Sequence, residues 1–169
     1  MKLKSFVLPK RIKIEEETRT ETYTKFVIEP LERGFGTTLG NSLRRVLLSF
    51  IQGAAVKWVR IEGVLQEISY IPGVVEDVTD IILNLKQVVF KLNKPRAVRL
   101  EIDATGPCEV KAKDILPNAD VEILNPDVHI ATLEEDGVLK AEMEVDQGRG
   151  YVSSENNQDE NLAINTIAV

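Results

Sequence analysis

Between residues 35 and 50, six apolar side chains, Phe35, Leu39, Leu43, Val46, Leu47 and Phe50, recur at helical offsets. They form one stripe on a 3.6-residue helix that Gly53 ends. This stripe constrains the fold more than any other feature, because a face with two Phe and three Leu in four turns needs a large partner surface. What precedes it is small. Residues 11–15 alternate polar and apolar, and residues 23–29 are rich in β-branched and aromatic side chains, so both read as strands. The acidic stretch 15–21 connects them, and Pro30 ends the second, since proline cannot donate to a ladder. The N-terminus is thus a β-β-α unit whose hairpin is too narrow to cover its own helix.

From Ala54 the texture changes to short strands and turns. Residues 54–61 read as a strand, followed by Gly63, a loop over 64–70 and a Pro72-Gly73 turn. A second helix is expected over 74–86, with Val74, Val78, Ile81, Ile82 and Leu85 in one stripe. Glu76, Asp77 and Asp80 lie in its early turns and Lys86 at its end, as the helix dipole favours. Strands follow at 88–92 and 97–104. Residues 128–133 and 138–145 flank Glu134-Glu135-Asp136-Gly137, which predicts a hairpin. A polar loop over 153–161 leads to a last strand at 162–169. The fold class is α+β: a β-β-α unit plus a mostly antiparallel α+β unit with one helix. The expected boundaries are 1–52 for the first unit, 53–161 for the second, and 162–169 for a strand that returns to the first, making the second an insertion.

The 169 residues are 43% hydrophobic, too apolar for a disordered chain, and contain no uninterrupted run long enough to span a membrane. The N-terminus has lysines but no apolar core of a signal peptide. One cysteine, Cys108, excludes an internal disulfide framework and fits a reducing, cytoplasmic compartment. With a single His, no zinc constellation can be assembled, and no metal or cofactor is expected. The net charge of −6 is concentrated in residues 134–160, where nine acids face only Lys140 and Arg149. No basic face suits a nucleic acid, so direct nucleic-acid binding is disfavoured.

Catalytic candidates are weak. Residues 34–40, Gly-Phe-Gly-Thr-Thr-Leu-Gly, follow a strand and open a helix, which invites a small nucleotide-binding enzyme as the alternative reading. The spacing fails, because Leu39 stands where a dinucleotide fingerprint has its third glycine. Gly34 and Gly36 more simply permit a tight entry turn, and Gly40 permits close packing on the helix. Glu76 and Asp77, adjacent on a helix, would diverge by about 100° rather than converge on one substrate. His129, between Val128 and Ile130, reads as a satisfied structural residue, and Cys108 has no base beside it.

The first helix has a second face. Asn41, Arg45 and Leu48 fall opposite the apolar stripe, with Arg44 flanking them. An apolar residue beside arginine is the composition of an interface core. Residues 31–49, Leu-Glu-Arg-Gly-Phe-Gly-Thr-Thr-Leu-Gly-Asn-Ser-Leu-Arg-Arg-Val-Leu-Leu-Ser, resemble the signature of bacterial RNA polymerase alpha subunits. Residues 63–69, 74–86 and 148–152 (Gly-Arg-Gly-Tyr-Val) match the same family in order.

The resemblance implies the N-terminal domain of a non-catalytic alpha subunit, whose homodimer is the platform on which the large beta and beta-prime subunits assemble. Carried over by motif, Arg45 and Leu48, with Asn41 and Arg44 beside them, would contact the beta subunit. Leu65, Glu67 and Ser69, then Lys86, then Arg149, Gly150 and Tyr151 would add large-subunit contacts. Phe35, Leu39, Leu43, Val46, Leu47 and Phe50 would form the dimer interface. Members of that family continue past the 162–169 strand with a long dimerisation helix, a linker and a DNA-binding domain, so the resemblance implies that this chain is a fragment.

Overall fold

The computed structural model describes residues 6–20, 22–157 and 165–169. It divides into two compact units, Met1–Ser49 and Phe50–Val169. In the first, β1 (Arg11–Ile14) pairs antiparallel with β2 (Phe26–Glu29), placing Ile12 opposite Ile28 and Ile14 opposite Phe26. The second strand begins three residues later than its composition predicts. Helix α1 (Phe35–Ser49) follows, entered through Gly34, whose φ of +88° only glycine adopts freely. The Phe35 N–H donates to the Glu32 carbonyl (3.0 Å), and Phe6 packs edge-on against Phe35 with ring centroids 4.8 Å apart. Every buried hydrophobic residue lies at or after Val56, so among its described residues the first unit has no closed core.

The second unit holds the core. Its main sheet runs β5 (Val98–Thr105), β9 (Val138–Arg149), β3 (Gln52–Ile61), β4 (Phe90–Leu92) and β7 (Val121–Ile123), with β10 (Ile167–Ala168) also on β3. A two-stranded sheet pairs β6 (Cys108–Lys111) with β8 (His129–Leu133). Helix α2 (Val78–Leu85) lies against β8 and buries Val78, Ile81, Ile82 and Leu85. They join Val59, Ile61, Ile102, Ile130, Leu139 and Met143 in one apolar cluster. A short helix α3 (Ser154–Asn157) precedes residues outside the description.

Three expectations are corrected here. Helix α2 starts at Val78, not at 74, because the Asp77 carboxylate caps it by accepting the Asp80 N–H (2.7 Å). Val74 instead bridges Leu133 in extended form. The hairpin over 128–145 does not form: β8 pairs with β6, whereas β9 pairs with β3 and β5. Residues 134–137 do turn, with the Gly137 N–H on the Glu134 carbonyl (3.0 Å), but the turn hands the chain from one sheet to the other. The final strand does not return to the first unit. Ile167 pairs with Val59 and Ala168 with Trp58, which sinks Ile167 and Val169 into the second unit's core. Residues 158–164, the end of the expected loop and the start of that strand, lie outside the described residues. Strands β6 and β7, four and three residues long, were not expected from periodicity.

Three glycines lock the passage between sheets. The Glu134 N–H donates to the Gly73 carbonyl (2.8 Å) and the Gly106 N–H to the Gly137 carbonyl (2.8 Å). Gly73 has a φ of +74°, and backbone lies where a Cβ would stand at each of Gly73, Gly106 and Gly137.

Candidate functional site

Helix α1 offers two surfaces and buries neither. Leu39 is half-buried; Phe35, Leu43, Val46, Leu47 and Phe50 are all exposed, with Leu47 at 62%. Opposite them, Asn41, Arg44, Arg45 and Leu48 are exposed as well. The helix itself is regular, with the Ser42 hydroxyl donating to the Thr38 carbonyl (2.8 Å). Gly36 and Gly40 sit inside it, and neither would bring a Cβ near any neighbour. The glycine-rich stretch is therefore helix rather than a phosphate-cradling loop, and among the described residues nothing packs closely at Gly40.

The candidate contacts of the second unit fall at the two ends of α2. Beyond its N-terminus, the loop over 63–70 is pinned by two bonds: the Val78 N–H to the Ser69 carbonyl (3.1 Å) and the Thr79 hydroxyl to the Glu67 carbonyl (3.0 Å). Pinning the backbone leaves Leu65, Ile68 and Tyr70 standing in solvent, Ile68 at 85% and Tyr70 at 83% exposure. Ser69 is half-buried, so the loop's larger side chains are its accessible part. At the C-terminal end of α2, Lys86 shares a groove of about 460 Å³ with Arg149, Gly150 and Tyr151. Eight helical residues separate the two patches by roughly 12 Å. Lys57 also lines the groove. No sequence signal marks it, since strand alternation gives no sign of an irregularity there.

The titratable groups serve packing. Glu76 lies just before α2, not on it, and is 16% exposed. Its carboxylate accepts the Thr132 N–H (2.6 Å) and hydroxyl (3.1 Å), and it meets His129 Nε2 at 2.8 Å. His129 Nδ1 faces Glu109 at 3.1 Å, and Glu109 in turn meets Lys111 at 3.1 Å. Burial alone would raise the Glu76 pKa, but the Thr132 N–H, the His129 ring and the Thr132 hydroxyl outweigh it and hold the carboxyl below its usual range. Because the folded state holds this carboxyl's pKa down, it adds stability above about pH 4.5 that is lost as pH falls further. Glu76→Gln is expected to lower the melting temperature at pH 7 and to flatten the decline in stability between pH 5 and 3, measured by thermal melts across that range. Cys108 is exposed, with Sγ 3.5 Å from the Thr105 carbonyl. Among the described residues no cluster of His, Cys, Asp or Glu could hold a metal, and no helix is long and apolar enough to cross a membrane.

Residues 59–169 match the family model described as the RNA polymerase Rpb3/RpoA insert domain. This chain belongs to the bacterial RNA polymerase alpha-subunit family. It is 54% identical to the DNA-directed RNA polymerase subunit alpha of Geobacter metallireducens, over 98% of this chain and 49% of the relative. It is 56% identical to that of Syntrophomonas wolfei over 89% and 48%, and 53% identical to that of Alkaliphilus metalliredigens over 94% and 50%. The chain spans about half the length of these alpha subunits. The matched insert domain includes β10, in keeping with its pairing on β3.

Proposed function

We propose that this chain acts as a non-catalytic assembly scaffold of a bacterial RNA polymerase, dimerising through the apolar face of α1 and recruiting the beta and beta-prime subunits through other surfaces. The observation that carries the reading is α1 itself: fifteen residues with an apolar face and an Arg45/Leu48 face, neither of them buried, in a unit without a closed core. An isolated chain gains little from such a helix, since most helical stability comes from packing an amphipathic face. Two partners on two faces account for both sides at once. Arg44, Arg45 and Leu48 supply the guanidinium and aliphatic groups that are enriched where interfaces carry their binding energy. The loop carrying Leu65, Ile68 and Tyr70 and the groove beside Lys86 extend this contact onto the second unit.

Arg45→Ala tests the reading. It is expected to cut recovery of the beta subunit in co-purification at least tenfold. Because Arg45 is exposed, stability should stay within about 0.5 kcal/mol of wild type by thermal melting. Undiminished beta recovery would refute the assignment of this face.

A further inference from the structure

We infer that Glu76 is a positioning residue: its carboxylate clasps the segment 63–77 to β8 and so fixes the stance in which Leu65, Ile68 and Tyr70 meet a partner. This rests on the assembly reading above and names a residue that acts through one of its surfaces. The first argument is the edge of β8. Strand β6 occupies one edge, and Val74 bridges Leu133 on the other. Around that bridge the Val75 N–H donates to the Thr132 carbonyl (3.0 Å) and the Glu134 N–H to the Gly73 carbonyl (2.8 Å). In a continuing antiparallel ladder the Thr132 N–H would donate to the Val75 carbonyl. It donates instead to the Glu76 carboxylate (2.6 Å), which stands in for that carbonyl and also accepts the Thr132 hydroxyl (3.1 Å). One residue on, Asp77 caps α2. The two adjacent acids thus do different work: one closes the strand edge, the other starts the helix.

The second argument is reach. His129 Nε2 lies 2.8 Å from Glu76 and its Nδ1 3.1 Å from Glu109 on β6, which in turn meets Lys111, so the clasp extends across β8 to β6. A carboxylate only 16% exposed that meets the Thr132 N–H, the Thr132 hydroxyl and the His129 ring is costly to replace, because its partners are left without an acceptor. The third argument is how the segment is anchored. Val64 and Ile71 are buried, and between them the Glu67 and Ser69 carbonyls are held by the Thr79 hydroxyl and the Val78 N–H, both just past Glu76. Moving residues 74–79 off β8 therefore takes those two donors along and shifts the exposed Ile68 and Tyr70 with them.

The test reads amide hydrogen exchange in the intact chain by NMR. Glu76→Gln is expected to speed exchange at Val75, Val78 and Thr132 about tenfold, because opening the segment no longer breaks the clasp. Thr132→Val should do the same, and Thr132→Ser, which keeps the hydroxyl, should exchange as wild type. Ile102→Val, a cut in the buried core of β5, should lower the melting temperature too but leave those three amides unchanged. Faster exchange in β5 and β9 of Glu76→Gln, with the three amides unmoved, would overturn the inference. The second arm is capture of purified beta and beta-prime subunits. Ile68→Ala with Tyr70→Ala should weaken capture, Glu76→Gln should weaken it as well, and the triple variant should lose little more than the Ile68/Tyr70 pair. Additive losses, or full capture by Glu76→Gln, overturn the positioning role. Full capture by the Ile68/Tyr70 pair, in which Glu76 is intact, removes this loop from the assembly reading instead, and exchange alone then decides whether Glu76 is the clasp.

Discussion

Gly137→Ala is expected to destabilise the second unit by about 3 kcal/mol, at the upper end of what overpacking costs, and to lower its melting temperature by roughly 10 °C. The reason is backbone against backbone. A Cβ at Gly137 would stand on the Gly73 carbonyl oxygen, and one at Gly73 would lie 2.6 Å from the Gly137 Cα. No side chain can rotate away to relieve this; the chain must move, and the bonds from Glu134 N–H to Gly73 and from Gly106 N–H to Gly137 must lengthen. Those bonds hold the turn that carries the chain from β8 to β9, hence from one sheet to the other. Gly40→Ala is the control. It sits in α1 with open space at its Cβ, so alanine should favour the helix by about 0.5–1 kcal/mol. A near wild-type melt for Gly137→Ala would show that the junction relaxes without loss, and that the route between sheets does not depend on it.

That junction also shows where local reading of the sequence stops. Residues 134–137 have turn chemistry and do turn, but turn chemistry says nothing about which neighbours the flanking strands choose. Strand β9 is twelve residues long and finds β3 on one side and β5 on the other, while the five-residue β8 finds β6. Helix α1 was legible because its evidence is entirely local: a stripe with glycine at its entrance. Helix α2 was legible in its stripe but not in its start, since Val74 fits the helical period and is claimed instead by Leu133 across the fold. Glu76 likewise reads as a dipole-matched acid, yet its partners Thr132 and His129 lie more than fifty residues away. The face of Asn41, Arg45 and Leu48 that we propose as a contact surface follows from the same periodicity that gives the helix. The groove does not, because it is assembled from β3, the end of α2 and the end of β9, and its bulged Lys57 has no signature in one dimension.

The exposure of the α1 stripe alters what a charge there should do. Periodicity alone suggests that Leu43→Asp buries an unpaired carboxylate and unfolds the chain. In the structure Leu43 is 47% exposed, so in a lone chain the carboxylate remains hydrated and the melt of the second unit should not move. The cost falls on association. Phe35, Leu43, Val46, Leu47 and Phe50 are already about half covered, so burying what remains against a twin stabilises by roughly 1 kcal/mol per side chain, about 5 kcal/mol for each protomer. Lost rigid-body freedom takes back roughly 4–15 kcal/mol of the pair's total. The margin left is small enough that one substitution consumes it: Leu43→Asp forfeits one burial per protomer and places two carboxylates, one from each copy, in a desolvated seam at several kcal/mol each. Light scattering at tens of micromolar should therefore find a dimer for the wild-type sequence and a monomer for Leu43→Asp, with matching circular dichroism. Leu83→Asp, which changes an exposed leucine on α2, should leave the dimer intact. If Leu43→Asp stays dimeric, the α1 stripe is not the seam, and its apolar face must be covered by something other than a second copy.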